Sequence, residues 1–209
     1  MKIVFISDTH GLHEQLEILE GDMIIHGGDI SNRGRREEVE DFIDWFQELN
    51  FTHKIFIAGN HDLYLERVSE YELEEIIPED VIYLNDSGIT INGINIWGSP
   101  VQPWFYDWAF NRERGEEIKK HWDLIPHNTD ILITHGPPHG ILDKTASGQK
   151  VGCEELRERL EIVKPKIHVF GHIHEAYGSK DISNTKFINA SVLDIAYKLV
   201  NAPVEINYV

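Results

Sequence analysis

The sequence predicts an α/β protein in which two sheets pack together and helices cover them outside. Three observations lead there. Short apolar runs rich in Ile, Val and Phe recur along the chain and read as strands buried on both faces. Amphipathic helical patterns lie between several of these runs. An Asn92-Gly93 pair flanked by alternating isoleucines signals an antiparallel hairpin, so the sheets are expected to be mixed.

The elements follow in order. KIVFIS, from Lys2 to Ser7, reads as the first strand; its apolar run is too short for a secretory signal. DMIIHGGD, from Asp22 to Asp29, reads as the second. In RREEVEDFIDWFQEL, Val39, Phe42, Ile43 and Phe46 recur at helical spacing while Glu37, Glu38, Glu40 and Asp44 fall elsewhere, which predicts a helix with one buried face. KIFIAGNHD, from Lys54 to Asp62, is the third strand, and LYLERVSEYELEEII reads as a further helical pattern. Ile89, Ile91, Ile94 and Ile96 form the hairpin. DILITHG (Asp130 to Gly136) and KIHVFGHIH (Lys166 to His174) are strands separated by the helical CEELRERLEIV, and the tail from Lys186 to Val209 also reads as strands. No Pro/Gly/Ser-rich linker divides the chain, so residues 1–209 are expected to form a single domain.

Composition narrows the function. A hydrophobic content of 41% and a charged content of 26% are ordinary for a globular protein. The charge balance is not: 36 acidic against 19 basic residues leave a formal net charge of −17. Extended nucleic acid and anionic membrane are held largely by Lys and Arg, so both are disfavoured as partners. Cys153 is the only cysteine, which excludes an intrachain disulfide. No stretch approaches the roughly 20 apolar residues needed to cross a bilayer. A soluble, cytoplasmic protein is the expectation.

The apolar runs end in residues able to bind metal or move protons. The first ends in Asp8 and His10, the second in Asp29 after two glycines, the third in Asn60, His61 and Asp62. The fourth ends in His135 and the fifth in His172 and His174. Side chains one residue apart on an extended chain share a side, and sites in α/β sheets form where strand C-termini meet loops. A lone His or Gly-Gly-Asp is more often structural; five run ends carrying such residues together point to a metal centre. Carboxylate, imidazole and amide oxygen without thiolate suit Mn²⁺, Fe, Zn²⁺, Co²⁺ or Ni²⁺. So many candidate ligands fit two ions sharing a carboxylate better than one ion.

The blocks DTH, GGD, GNHD, a His after an Ile/Thr run, and GHIH occur in the order seen in the calcineurin-like metallophosphoesterases, and the chain resembles that family from Asp8 to His174. THGPPHGILD, VGC, FGHIHEAYG and FINAS resemble more closely its small class III phosphodiesterase subgroup, which includes the metallophosphoesterase-domain-containing proteins. The resemblance implies a four-layer αββα sandwich of two mixed sheets flanked by helices. It implies two divalent metals, Mn or Fe foremost, with Asp8, His10, Asp29 and His174 around one. Asp29, Asn60, His135 and His172 would surround the other, with Asp29 bridging. It places His61 outside the ligand set, facing the leaving group. Some subgroup members have Gly where this chain has His172, and the family's common Gly before the fourth-block His is Thr134 here.

The implied function is hydrolysis of small phosphate diesters, cyclic nucleotides among them, by in-line attack of a metal-bridging hydroxide, with His61 protonating the departing oxygen. A phosphomonoesterase and a metal-containing nucleotide-binding protein with little turnover are the alternatives; the charge speaks against a nuclease. His139, after a ligand-bearing strand, is a candidate phosphate contact. His13 and His26 are read as supporting or solvated residues, and Arg33, Arg35 and Arg36 as phosphate steering or a charged helix start. Cys153 is read as a small buried residue opening a helix. The aromatic cluster Trp104, Phe105, Tyr106, Trp108 and Phe110 is read as cover for a sheet edge or as a wall for a nucleotide base.

Overall fold

The computed structural model describes residues 1–18 and 20–208. Along the chain come β1 (Lys2–Ile6), β2 (Met23–His26), α1 (Arg36–Glu48), β3 (His53–Phe56), α2 (Leu63–Arg67), α3 (Glu70–Ile76), β4 (Val81–Tyr83), β5 (Ser87–Ile91) and β6 (Ile94–Ser99). Then follow β7 (Gln102–Pro103), β8 (Asn111–Arg112), α4 (Glu116–Asp123), β9 (Ile131–Thr134), α5 (Glu154–Val163), β10 (Ile167–Phe170), β11 (Gly178–Ile182), β12 (Thr185–Asn189) and β13 (Val204–Asn207). One sheet has five strands in the order β13-β1-β2-β3-β4, and the other six in the order β11-β12-β10-β9-β6-β5. In both, the central strands run parallel and antiparallel strands sit at edges: β13 on β1, β11 on β12 and β5 on β6.

The period of two along each strand builds the layers. Ile3 and Phe5 of β1, Met23 and Ile25 of β2, and Ile55 of β3 face the second sheet, where Ile131, Ile133, Ile167 and Val169 meet them. The alternate residues Val4, Ile6, Ile24 and Phe56 face outward and are covered by Val39, Phe42, Ile43 and Phe46 of α1. On the far side, Leu132, Phe170 and Phe187 are covered by Ile118 and Trp122 of α4 and Leu156 and Leu160 of α5. Each central strand therefore buries both faces, which is why its sequence is apolar throughout rather than alternating. The result is the expected helix–sheet–sheet–helix sandwich of two mixed sheets. Among the described residues no helix is long and apolar enough to cross a membrane.

Local chemistry sets the boundaries. Glu38 reaches back to accept the backbone N–H groups of Asn32 (3.2 Å), Arg33 (3.2 Å) and Arg35 (3.0 Å), closing the start of α1. Arg36 pairs with Glu40 along the helix at 2.8 Å, so the helix-start reading of these arginines holds for it. The hairpin forms as expected: Ile91 opposes Ile94, and Asn92 (φ 51°) and Gly93 (φ 82°) both take the left-handed conformation that a tight two-residue turn requires.

Two expectations are corrected, and one helix had no counterpart in the sequence reading. The pattern over residues 63–77 is two helices, because Ser69 accepts the Glu72 N–H at 3.3 Å and starts α3 afresh after an extended Val68. Helix α4 went unread, having only Ile118 and Trp122 buried in its eight residues. The strand reading of the tail holds for β12 and β13, but irregular backbone spans 190–203 between them; Val209, included in that reading, lies outside the described residues.

Candidate metal centre

Strands β1, β2 and β3 are neighbours in one sheet, β9 and β10 in the other, and the segments following them meet at one end of the sandwich. There the backbone is stitched across. Asp8 N–H donates to Gly28 O (2.9 Å), His10 N–H to Asp29 O (3.0 Å) and Gly171 N–H to His135 O (3.0 Å). The side chains singled out from the sequence converge as a result. Ligand atoms of Asp8, His10 and His174 lie within 4.8 Å of one another, as do those of Asp29, His135 and His172, and those of His10, Asp29 and His61. Asn60 joins them: its Oδ1 is 2.9 Å from His135 Nε2 and 2.8 Å from His172 Nδ1.

The imidazoles are held from behind. His10 Nδ1 faces Ser31 O at 3.1 Å, His135 Nδ1 faces Gly27 O at 3.0 Å, and His174 Nδ1 faces Asp194 O at 3.0 Å. A carbonyl can only accept, so each Nδ1 carries a hydrogen and Nε2 is the ring atom turned to the centre. Those Nε2 atoms meet carboxylate oxygens, not donors: His10 at 3.6 Å and His135 at 3.3 Å from Asp29 Oδ2, His174 at 3.4 Å from Asp8 Oδ1. His10 Nε2 is buried without a hydrogen-bond partner among the described residues. Imidazole Nε2 atoms and carboxylates converging in this way, each fixed through its far side, form a set suited to divalent cations once the Nε2 protons leave.

Burial and charge act together here. Burial by itself would raise the Asp8 and Asp29 carboxyls; His174 and His135 outweigh it, and both stay below the usual carboxylate range. Burial would likewise depress His135 and His174, yet the facing Asp29 and Asp8 lift each to about 9. For His10 and His172 burial outweighs the pull of the same two aspartates and takes each down to about 4. The backbone is strained at the same place: Asp8 (φ 56°), His10 (φ 43°), Asp29 (φ 56°) and His172 (φ 66°) are all left-handed without being glycine. Two motif glycines are explained by close approach. A Cβ on Gly59 would lie 2.3 Å from Asp29 Oδ1, and one on Gly171 would lie 2.0 Å from Asp8 Oδ2.

His61 stands beside the cluster. Its N–H donates to Asp29 Oδ1 at 2.7 Å, its Nδ1 donates to Asn32 O at 2.8 Å, and its ring stacks on Trp108 with centroids 4.3 Å apart. Asp62 occupies the N-cap position of α2, but its side chain makes no cap bond. It accepts instead from Gly59 N (2.7 Å), Ser31 N (3.0 Å) and Ser31 Oγ (2.6 Å), tying the loop after β3 to the loop after β2. Burial, with Asp29 nearby, raises its carboxyl to about 6 against those hydrogen bonds.

A cavity of about 480 Å³ opens over the centre, reached by His10, Asp29, Asn60, His61, His172 and His174 and walled by Trp104, Phe105, Trp108, Arg114, Lys150 and Tyr197. Trp104, Phe105 and Tyr106 are exposed, Trp104, Phe105 and Trp108 line the cavity, and Phe110 is buried in a core. His139 does not line the cavity; its backbone N–H donates to Cys153 O at 2.9 Å. Nor do Arg33, Arg35 and Arg36 line it. His26 is fully buried, bonded to Thr9 Oγ1 at 3.0 Å and to Gly28 N–H at 3.1 Å, and His13 lies 3.3 Å from Asp41. Cys153 is buried at the N-cap of α5, where it accepts from Trp122 Nε1 at 3.3 Å.

Sequence reading missed the support from 190–203. Ser191 Oγ donates to Asp8 Oδ2 at 2.7 Å, Asp194 O holds His174, and Tyr197 packs 4.9 Å from the His10 ring. It also missed Arg114 and Lys150, cations outside the ligand-bearing blocks that line the cavity.

Fold and donor set together define a two-sheet α/β sandwich with a candidate divalent-metal centre at one end. A family model described as calcineurin-like phosphoesterase matches residues 1–176. Metallophosphoesterase domain-containing protein 1 of Homo sapiens is 42% identical over 99% of this chain and 70% of its own length. The UPF0046 protein K07C11.7 of Caenorhabditis elegans is 34% identical over 98% of this chain and 74% of its own. Among solved structures, phosphopantetheinyl hydrolase from Mycobacterium tuberculosis shares the fold with a TM-score of 0.60 at 15% identity, covering 91% of this chain and 89% of that one. The chain belongs to the calcineurin-like phosphoesterase family, whose members use divalent metals. The segment carrying Ser191, Asp194 and Tyr197 lies beyond the matched residues.

Proposed function

We propose that this protein is a dinuclear phosphodiesterase acting on small phosphate esters, nucleotides and cyclic nucleotides included. The observation that carries this is the convergence of ligand atoms at the centre: imidazole Nε2 atoms and carboxylates face one another, with Asp29 between His10 on one side and His135 on the other. Asp8, His10, Asp29 and His174 would hold one cation, and Asp29, Asn60, His135 and His172 the second; Mn or Fe suit this set best, with Zn, Co and Ni also compatible. When bound, such cations supply Lewis acidity toward a phosphoryl group and nucleophilic water at neutral pH.

The chain's own residues do the rest. With Nδ1–H given to Asn32 O, His61 can release a proton only from Nε2, which suits it to protonate a departing alkoxide. Trp104, Phe105 and Tyr197 offer apolar surfaces beside the cluster, and Arg114 and Lys150 add positive charge in a protein carrying −17. A cavity of about 480 Å³ fits a small ester and excludes a folded polymer.

The test is a matrix of metals against substrates on chelator-stripped protein. It includes bis-p-nitrophenyl phosphate, its monoester, and 2′,3′- and 3′,5′-cyclic nucleotides. The expected result is diesterase activity restored by Mn or Fe. His61→Gln should then lose about 10²–10⁴-fold in turnover with metal content intact. Asp29→Ala should lose the metal itself. Activity on the monoester alone, or nucleotide binding without hydrolysis under every metal, would overturn the reading.

A further inference from the structure

We propose that Trp108 is a positioning residue, holding the His61 imidazole in the orientation from which it protonates the leaving oxygen; this rests on the phosphodiesterase reading above. His61 is only partly buried, and among the described residues its side chain has one hydrogen bond, from Nδ1 to Asn32 O at 2.8 Å. One bond at one ring edge leaves the plane of the imidazole free to swing about it. Two contacts remove that freedom. Trp108 lies face to face with the ring, centroids 4.3 Å apart and planes 25° from parallel. His10 meets the same ring edge-on at 4.5 Å and 80°. The first fixes the plane and the second limits travel toward the metal ligands.

The indole is itself referenced to the site. Ala109, next to Trp108, donates its N–H to Asn60 O at 3.1 Å, and Asn60 is next to His61. The stacked pair is thus anchored on adjacent residues of two segments joined by one backbone hydrogen bond. Glu66 of α2 secures the same segment, accepting Phe110 N–H at 2.8 Å and lying 3.6 Å from Arg112. Trp108 also differs from its aromatic neighbours. Trp104 and Phe105 are each 54% exposed and turn to the cavity, whereas Trp108 gives one face to His61. Its indole carries no lone pair for a cation, and because it also lines the cavity, the dependence on the leaving group is what separates action through His61 from direct contact with the ester.

The experiment is a leaving-group series on the full-length, metal-loaded protein. Aryl methyl phosphates ranging from p-nitrophenyl to p-methoxyphenyl are turned over by the wild type, Trp108→Leu, Trp108→Phe and His61→Gln, with metal content measured for each. A p-nitrophenolate departs without a proton, while a p-methoxyphenolate needs one. Trp108→Leu is expected to lower kcat for the p-methoxyphenyl ester roughly tenfold more than kcat for the p-nitrophenyl ester. Its dependence on leaving-group basicity steepens toward that of His61→Gln, and Trp108→Phe, which keeps a stackable ring, restores the wild-type slope. Trp108→Gln replaces the leucine variant if that one fails to fold. A wild-type slope in Trp108→Leu or Trp108→Gln, whether or not both rates fall together, overturns the proposal while leaving His61 as the acid. Loss of metal from these variants also overturns it. An unchanged slope in His61→Gln instead removes the acid role of His61 on which the proposal stands.

Discussion

Four of the metal-binding candidates, Asp8, His10, Asp29 and His172, sit in left-handed backbone that costs a non-glycine residue of order 1–3 kcal/mol. What over-determines them is the hydrogen bonding around each carboxylate. Asp8 accepts from His172 N–H at 3.0 Å and from Ser191 Oγ at 2.7 Å, so it is oriented before any cation arrives. Ser191→Ala should weaken metal binding by about 10–100-fold, as loss of a ligand's supporting bond does, in competition with a chelator. Gly171→Ala should do worse. Its Cβ would meet Asp8 Oδ2 at 2.0 Å and Ser7 Oγ at 2.2 Å, both fully buried, and metal analysis should find the Asp8 side depleted. Away from the centre, burial takes the His168 imidazole from 6.5 down to about 3. The unfolded ring gains a proton near pH 6.5 and the folded one does not, so stability present above that pH is lost as pH falls toward 3. The slope is up to about 1.4 kcal/mol per pH unit. On chelator-treated protein, urea unfolding at pH 7 and pH 5 should differ by up to about 2 kcal/mol less in His168→Gln than in the wild type.

At the scale of elements, the supports lie in loops. Residues 190–203 carry Ser191, Asp194 and Tyr197, and the Asp194 side chain holds the turn by accepting Ala196 N–H at 2.8 Å and Lys198 N–H at 3.0 Å. Asp194→Ala should loosen this turn, and with it the carbonyl behind His174; metal affinity is expected to fall about 10-fold or more with the fold retained by circular dichroism. Helix α3 makes the opposite case. It buries no residue and depends on Ser69 and Glu72 for its start. Ser69→Ala should cost about 0.5–2 kcal/mol locally and speed amide exchange over residues 70–76 without touching activity.

For the molecule as a whole, the two sheets act as a rigid clamp, because their shared core is built from fully buried residues such as Phe5, Ile25, Ile133 and Val169. The outer layers hold the clamp in shape. Phe42 of α1 is fully buried against the first sheet, and Phe42→Ala should cost about 3–5 kcal/mol in urea unfolding. A net charge of −17 works against compaction, so raising salt should raise the melting temperature.

Much of this was legible in the sequence. Strand runs buried on both faces must be apolar throughout, and the residues that follow them must be polar if they meet at a site; Asp8, Asp29, Asn60, His135 and His172 stood out for that reason. The break at Ser69 and the role of 190–203 did not, since a cap competes with a periodic pattern and loop contacts carry no period. The chain by itself determined which side chains could bind a cation, because ligand chemistry belongs to residue type and strand length sets where it emerges. Only the tertiary structure decided that Ser191 would orient Asp8 from 183 positions away and that Trp108 would stack on His61. Those pairings arise from how two sheets and their loops close on one another, and no local spacing encodes that.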